Sequence, residues 1–463
     1  MPVANKEIDL SHTLNRRQLS GIAAPGYLDL LQGLSLGGYA GWNLFQLTVE
    51  NITDDASVLL LLLTAVLNIV AVGVAVRRNS LSYTAIFYFN IVFFVFAPIE
   101  QIRWQFDPLL NNLDVLHPAL GVTLGWSALC ALFLVVKRQA PILERPSLSV
   151  TAPSKLGLLW CASLAASSLG ISVYGTSLFS SRDVASQLIT ERFDLSIGLM
   201  LTGTVFPFAF YSSLVGFRLS WHARLPHWRF LFLIALAASL LLNNVTILSR
   251  YQLAVLIFFG VFFWMGIRPW SSRFLLIALV VGTVASPLFH VFRSIYSSQQ
   301  SFEYNSFFST MDYDAFSMLC HTILHVQNSG IADGANLLSG ILFFVPRAIW
   351  IDKLRPTPFY LMDSLSAYRG LWSSNLSEPL IAEGYFGFGA VGTVAVSCIF
   401  LALVNRLEEF RSRSLSSVYL FRFAFPIIAL MLLRGSLIVG VSIVVGHLLA
   451  LAMTVRLSRA SGA

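Results

Sequence analysis

The chain has 463 residues, of which 56% are apolar and only 11% charged, and its mean hydropathy is +0.73. A soluble domain carries roughly 25% charged residues, so this composition excludes an ordinary cytosolic enzyme, a disordered chain and a nucleic-acid-binding domain. It places the chain among polytopic membrane proteins, and the modest net charge of +7 matters less than where the charges lie.

Runs of about 20 predominantly apolar residues mark membrane spans. In chain order they fall at 26–48, 57–76, 81–99, 115–136, 156–175, 195–217, 230–248, 251–267, 274–290, 380–404, 418–433 and 436–455. The first follows a polar start without the short apolar core and small-residue cleavage pattern of a signal peptide, and is read as an uncleaved span. With the N-terminus inside, 20 of the 30 lysines and arginines fall on the inner side, while most of the 23 acids fall outside. This is the positive-inside pattern, and it predicts both termini in the cytoplasm.

The expected organisation is a cytoplasmic N-terminus (1–25), nine spans with short loops (26–290), a large outer loop (291–379), three further spans (380–455) and a cytoplasmic tail (456–463). The outer loop is too long to be a simple connection, and loops of this length usually carry function. It contains an expected helix at 312–327. It also contains the apolar stretch 337–345, too short to span and read as interfacial or re-entrant.

Ten basic residues fall outside, nine of them arginine: Arg103, Arg182, Arg192, Arg250, Arg293, Arg347, Lys353, Arg355, Arg369 and Arg434. Arginine grips phosphate oxygens with a planar fork and stays charged. A cation at a helix mouth in a membrane is a functional hypothesis by default, and Arg250, Arg347 and Arg434 are the leading candidates. On a helix Asp314, His321 and His325 share one face. The HxxxH spacing of the two histidines is a weak metal signal, and no metal site is expected. Glu378 and Glu383 stand at the outer end of the tenth span, where a bare carboxylate must pair with a cation or act as a tuned acid or base. Cys130, Cys161, Cys320 and Cys398 are scattered and form no CxxC pair. There is no GxGxxG, P-loop, GxSxG or HExxH motif.

An outer cavity with arginines and a few carboxylates suits an anionic ligand that arrives through or beside the membrane. A lipid-linked pyrophosphate meets that description. Arginines would neutralise its leaving group, and a carboxylate or histidine would take the proton of an attacking sugar hydroxyl.

The stretches FFVPRAIWIDKLRPTP (343–358) and SEPLIAEGYFGFGAVG (377–392), with SRYQLA at 249–254, resemble bacterial O-antigen polymerases of the Wzy type. The resemblance covers about the last half of the chain and rests on Arg250, Pro346, Arg347, Trp350, Lys353, Arg355, Pro356, Glu378, Glu383, Gly384, Gly387 and Gly389; Leu354 departs from it, since proline is expected after the lysine. It implies an all-α polytopic membrane protein of about 12 transmembrane helices, a GT-C-like bundle in the bacterial inner membrane with its active site on the periplasmic face.

The implied reaction is metal-independent joining of undecaprenyl-pyrophosphate-linked oligosaccharide repeat units into a surface polysaccharide. The expected catalytic residues are Glu383, Asp314 and His321. The expected substrate-binding residues are Arg250, Arg293, Arg347, Lys353, Arg355, Arg434 and Glu378. No cofactor and no nucleic acid are expected. The expected partners are the lipid-linked donor and acceptor, membrane lipids, a chain-length regulator and other assembly proteins. An O-antigen ligase would use the same donor. A flippase or transporter would show midplane charges and internal repeats, and an envelope scaffold would have no use for so many outer arginines.

Overall fold

The computed structural model describes residues 53–137, 153–179, 201–244, 248–268, 270–285, 307–369, 376–410 and 416–458, with Gly38, Ala40, Gly41 and Gly198 besides. Among the described residues every regular element is helical. In chain order they are α1 (Asp55–Arg77), α2 (Leu81–Arg103), α3 (Leu113–Val136), α4 (Pro153–Tyr174), α5 (Phe206–His222), α6 (Pro226–Leu242), α7 (Arg250–Met265), α8 (Ser271–Val284), α9 (Ala315–Ser329), α10 (Ala335–Ile341), α11 (Met362–Arg369), α12 (Leu380–Glu409), α13 (Ser417–Arg434) and α14 (Leu437–Ser458).

Seven of these, α1 to α4 and α12 to α14, are long and apolar enough to cross a membrane; α6, α7 and α8 are apolar but shorter. The chain is a helical membrane protein. The described parts of the expected stretches from 57 onward are largely helical, but several run past the helix ends, as at 243–244, 266–267 and 285. Most of the first expected span, 26–48, lies outside the described residues.

Helix α2 is the centre of the bundle. A helix apolar on every side belongs in an interior, and α2 is buried all round, packed against α1, α3, α8 and α13. Most of its polar groups are bonded inside the bundle, Gln101 Oε1 being a buried exception among the described residues. Asn90 donates to Asn68 Oδ1 (2.9 Å) and accepts from Trp126 Nε1 (2.8 Å), while Asn68 donates to Ser127 Oγ (2.9 Å). A bonded network of this kind fixes one register between α1, α2 and α3. A second group forms where α5 packs against α4, α6 and α14.

Two helical stretches widen into π turns, at Val92–Phe96 and Leu201–Val205. Each precedes a proline, Pro98 and Pro207. Proline has no N–H for the carbonyl four residues earlier and its ring crowds that carbonyl, so the preceding turn opens.

The two ends of the bundle are chemically distinct. At one end Glu408 of α12 accepts from Ser80 Oγ (2.5 Å) and Ser82 N (2.7 Å) and pairs with Lys137. Near it Asn79 donates to the Arg268 carbonyl, and Arg78 to the end of α3. Asn79, Ser80, Lys137, Arg268 and Glu408 belong to segments that the charge pattern assigns inside, and Ser82 and the end of α3 border them. At the other end, which carries 307–369, Asp54, Glu100, Asp107, Asp312 and Asp314 meet His117, Phe308 N, His321, Arg250 and Arg434.

Helix α12 is not one straight rod. Phe388 (φ −145°, ψ 26°) and Gly389 (φ 61°, ψ −148°) break it into a short segment, 380–387, and a long one from 390 onward. Gly384 and Gly392 then meet backbone to backbone, since a Cβ on Gly392 would lie 2.1 Å from the Gly384 carbonyl oxygen. The stretch 380–404, expected as a single span, is therefore divided. Its first two turns belong to the polar end, and the 20 residues 390–409 still extend about 30 Å, a bilayer's hydrocarbon thickness.

Candidate functional site

The site is built at the mouths of α7 and α13. Ser249 and Gln252 form a capping box at the start of α7, each side chain bonding the other's backbone amide. This is the S-x-x-Q signature of a helix N-terminus, and it fixes Arg250 as the first helical residue. At the far end of α13, Arg434 occupies the last turn, where a cation faces the helix's unsatisfied carbonyls favourably.

The two arginines face two aspartates from the turn before α9. Arg250 lies 2.8 Å from Asp312, and Arg434 lies 3.8 Å from Asp314. The Arg434 guanidinium also stands over the Tyr251 ring, 5.6 Å from its centre. Both arginine side chains keep 22% of their surface exposed, whereas Asp314 has none. Part of each arginine side chain is therefore open, although Arg434 Nε is buried.

Glu378 closes the back of the cluster. Its amide donates to the Arg434 carbonyl (2.8 Å), and Thr322 of α9 donates to its Oε1 (2.9 Å). Ser377 N reaches Asp314 Oδ2 at 3.3 Å. Among the described residues Glu378 Oε2 has no hydrogen-bond partner although it is buried. Burial, and then the negative charges of Glu383 and Asp314, push the Glu378 carboxyl well above the ordinary range, against the opposing pull of the Thr322 hydroxyl.

Glu383 sits in a different environment. Oε1 accepts from Leu437 N (2.8 Å), and Oε2 accepts from Asn336 Nδ2 (2.9 Å) and Thr357 Oγ1 (2.7 Å). The carboxylate thereby caps the N-terminus of α14, where negative charge is favoured, and ties α10 and residues 356–358 to α12. This arrangement is that of an anchor: its oxygens are taken up by three donors from three segments.

Lys353 and Arg355 make contacts outside the arginine–aspartate pairs. Lys353 is buried, with its ammonium donating to the carbonyls of Phe343 (2.7 Å) and Val345 (2.8 Å). It holds a loop that displays Ile341, Phe344, Ile349 and Ile351 outward, the last 84% exposed. Arg355 is exposed and stacks on Phe359 at 5.6 Å. Arg347 is half-buried on the turn after α10. Arg293 lies outside the described residues.

His321 is fully buried, with Nε2 2.9 Å from Asp107 Oδ2 and Nδ1 2.6 Å from Ser364 Oγ. His325, one turn on, is half-buried beside the Phe386 ring, and burial lowers its proton affinity more than the Asp363 charge raises it. The two histidines of the HxxxH spacing thus face different partners. Among the described residues no group of three His, Cys, Asp or Glu side chains gathers into a metal site.

Sequence reasoning did not single out Tyr251, Thr322, Asn336, Thr357, Asp107 or Ser364. The capping pattern around Arg250 would have brought Tyr251 into view. The others are ordinary polar residues whose importance comes from long-range pairing. No family model, no curated protein and no solved structure matches the chain.

Proposed function

We propose that the chain is a polymerase that joins undecaprenyl-pyrophosphate-linked oligosaccharide repeat units on the periplasmic face of a bacterial inner membrane. The single observation behind this reading is the meeting of Arg250 and Arg434 with Asp312 and Asp314 at the mouth of a helical membrane bundle. Two arginine forks at membrane depth suit a pyrophosphate, whose charge they neutralise as it departs. On this reading the large loop 291–379 is periplasmic, and the bundle is GT-C-like with about 12 spans.

Asp314, which has no exposed surface, holds Arg434 in place with the Ser377 amide beside it, and Asp312, 30% exposed next to Arg250, is the carboxylate open to the attacking sugar hydroxyl and its proton. The sugar oxygen attacks the anomeric carbon, and the pyrophosphate leaves onto the arginines. Glu383 holds α10, α12 and α14 together beneath them. The 341–351 loop adds an exposed apolar surface suited to lipid.

The test is a glycan profile of a deletion strain complemented with wild-type or Arg250→Ala protein. Single repeat units on the lipid carrier, with long chains restored by wild type alone, support the polymerase. Long carrier-linked chains that fail to reach the lipid A core would instead make the protein a ligase. Units retained on the cytoplasmic side would make it a flippase.

A further inference from the structure

Three side chains from three separate segments form a second polar array, which shares no residue with the arginine–aspartate cluster. Ser364 stands in the first turn of α11, His321 in the middle of α9, and Asp107 just before the turn Pro108–Asn111. Ser364 Oγ lies 2.6 Å from His321 Nδ1, and His321 Nε2 lies 2.9 Å from Asp107 Oδ2.

The chemistry fixes the direction of these bonds. An ionised carboxylate only accepts, so Nε2 carries the ring hydrogen toward Asp107. Nδ1 is then the acceptor, and the Ser364 hydroxyl donates to it. Hydroxyl, imidazole and carboxylate stand in the order that activates a serine, with the imidazole reversed end for end relative to the usual protease arrangement.

The setting is also suited to that role. Asp107 Oδ1 accepts from Leu109 N at 3.1 Å, which fixes the carboxylate plane. Asp107 and His321 have no exposed surface, and the Tyr368 ring meets the imidazole edge-on at 6.2 Å. Ser364 is only half-buried, so the array opens outward through its hydroxyl. The first turn of a helix also leaves backbone N–H groups outside the helix's own ladder.

We propose that Ser364 is an acyl-accepting nucleophile, activated by His321 and oriented through Asp107, for carboxylic esters of hydroxyl-bearing molecules that reach this end of the bundle. Ser364 Oγ attacks the ester carbonyl carbon while its proton passes to His321 Nδ1. The carbonyl–oxygen bond to the alcohol breaks, and the departing oxygen takes that proton back. The acyl group stays on Ser364 until water or a second hydroxyl removes it by the reverse steps.

The test uses the purified full-length protein in detergent with a short-chain alkyl fluorophosphonate, followed by peptide mass spectrometry. Wild type is expected to take up one adduct, located on Ser364. Ser364→Ala, which removes only a hydroxyl, is expected to take up none while keeping its melting temperature. Asp107→Asn is expected to slow labelling by about a hundredfold or more, since a triad histidine in the wrong tautomer is a poor base. An unmodified Ser364 in wild type overturns the proposal, as does labelling at an unchanged rate in Asp107→Asn. Should Asp107→Asn not fold, the comparison of wild type with Ser364→Ala decides alone. Neither outcome bears on the glycan profile above.

Discussion

The Arg434 side chain lies 3.8 Å from Asp314, and its main-chain carbonyl accepts the amide of Glu378. One residue thus joins the end of α13 to both acidic segments of the polar end. Asp314 is fully buried, and Arg434 is the cation that faces it, with the Ser377 amide on its other oxygen.

Arg434→Ala should cost about 3 kcal/mol of stability, because breaking a buried pair leaves the partner charge uncompensated. Arg434→Ala combined with Asp314→Asn should recover most of that loss, since no bare charge remains. Neither variant should restore glycan elongation. Arg434→Lys should keep the melting temperature near wild type and still fail in elongation, since an ammonium lacks the fork. Melting curves in detergent with glycan length profiles check all three, and long chains from Arg434→Lys would remove this residue from donor binding.

Glu383→Gln should act chiefly on stability. Three donors point at the two carboxylate oxygens, and an amide puts a fourth donor among them. The expected cost is about 1–3 kcal/mol, the penalty for a buried donor left without an acceptor. Elongation per folded molecule should change little. A normal melting temperature with lost elongation would instead make Glu383 the proton acceptor.

Much of the architecture could be read from the chain because membrane burial leaves a simple trace. Apolar runs located the helices, and the division of basic residues separated the two ends. Arg250 and Arg434 were legible as site candidates because each is a cation at the edge of an apolar run, where charge in a membrane is costly. Lys353 carried no such local signal for its contacts. A lysine in a basic loop reads as a ligand group, and nothing in the loop sequence announces that its ammonium donates to the Phe343 and Val345 carbonyls. Likewise Glu383 read as a buried acid that must pair with a cation or act as a tuned acid or base, and the donors that meet its oxygens, the α14 N-terminus with Asn336 and Thr357, come from segments no local pattern links to it. Partners such as Asp107 for His321 lie 214 positions apart in the chain, a pairing no local pattern encodes.

Gly389→Ala should disrupt the divided α12 directly. Its φ of 61° with ψ of −148° is a conformation essentially reserved for glycine, and a Cβ there costs roughly 1–3 kcal/mol. Straightening the helix would also part Gly384 from Gly392 and pull Glu383 from its donors. The variant should melt lower and become sensitive to protease within 335–360. Gly282→Ala, where a Cβ meets open space, is the control and should leave both properties unchanged. Equal behaviour of the two variants would mean that the break at Phe388–Gly389 is not maintained.

Glu378 sets a pH dependence whose sign can be worked out. Burial, with the Glu383 and Asp314 charges, raises its folded-state proton affinity well above the ordinary carboxyl value of 4.5, while Thr322 opposes the shift. A raised acid binds its proton more tightly folded than unfolded. The associated stability is therefore fully present below the unfolded value and is lost as pH rises through the folded one. Wild type should melt progressively lower as pH climbs from about 4.5 toward and past neutrality. Glu378→Gln mimics the neutral acid and cannot ionise, so its melting temperature should fall less over the same range, and the two curves should diverge as pH increases. Parallel curves would show that Glu378 is ionised throughout and held by a countercharge.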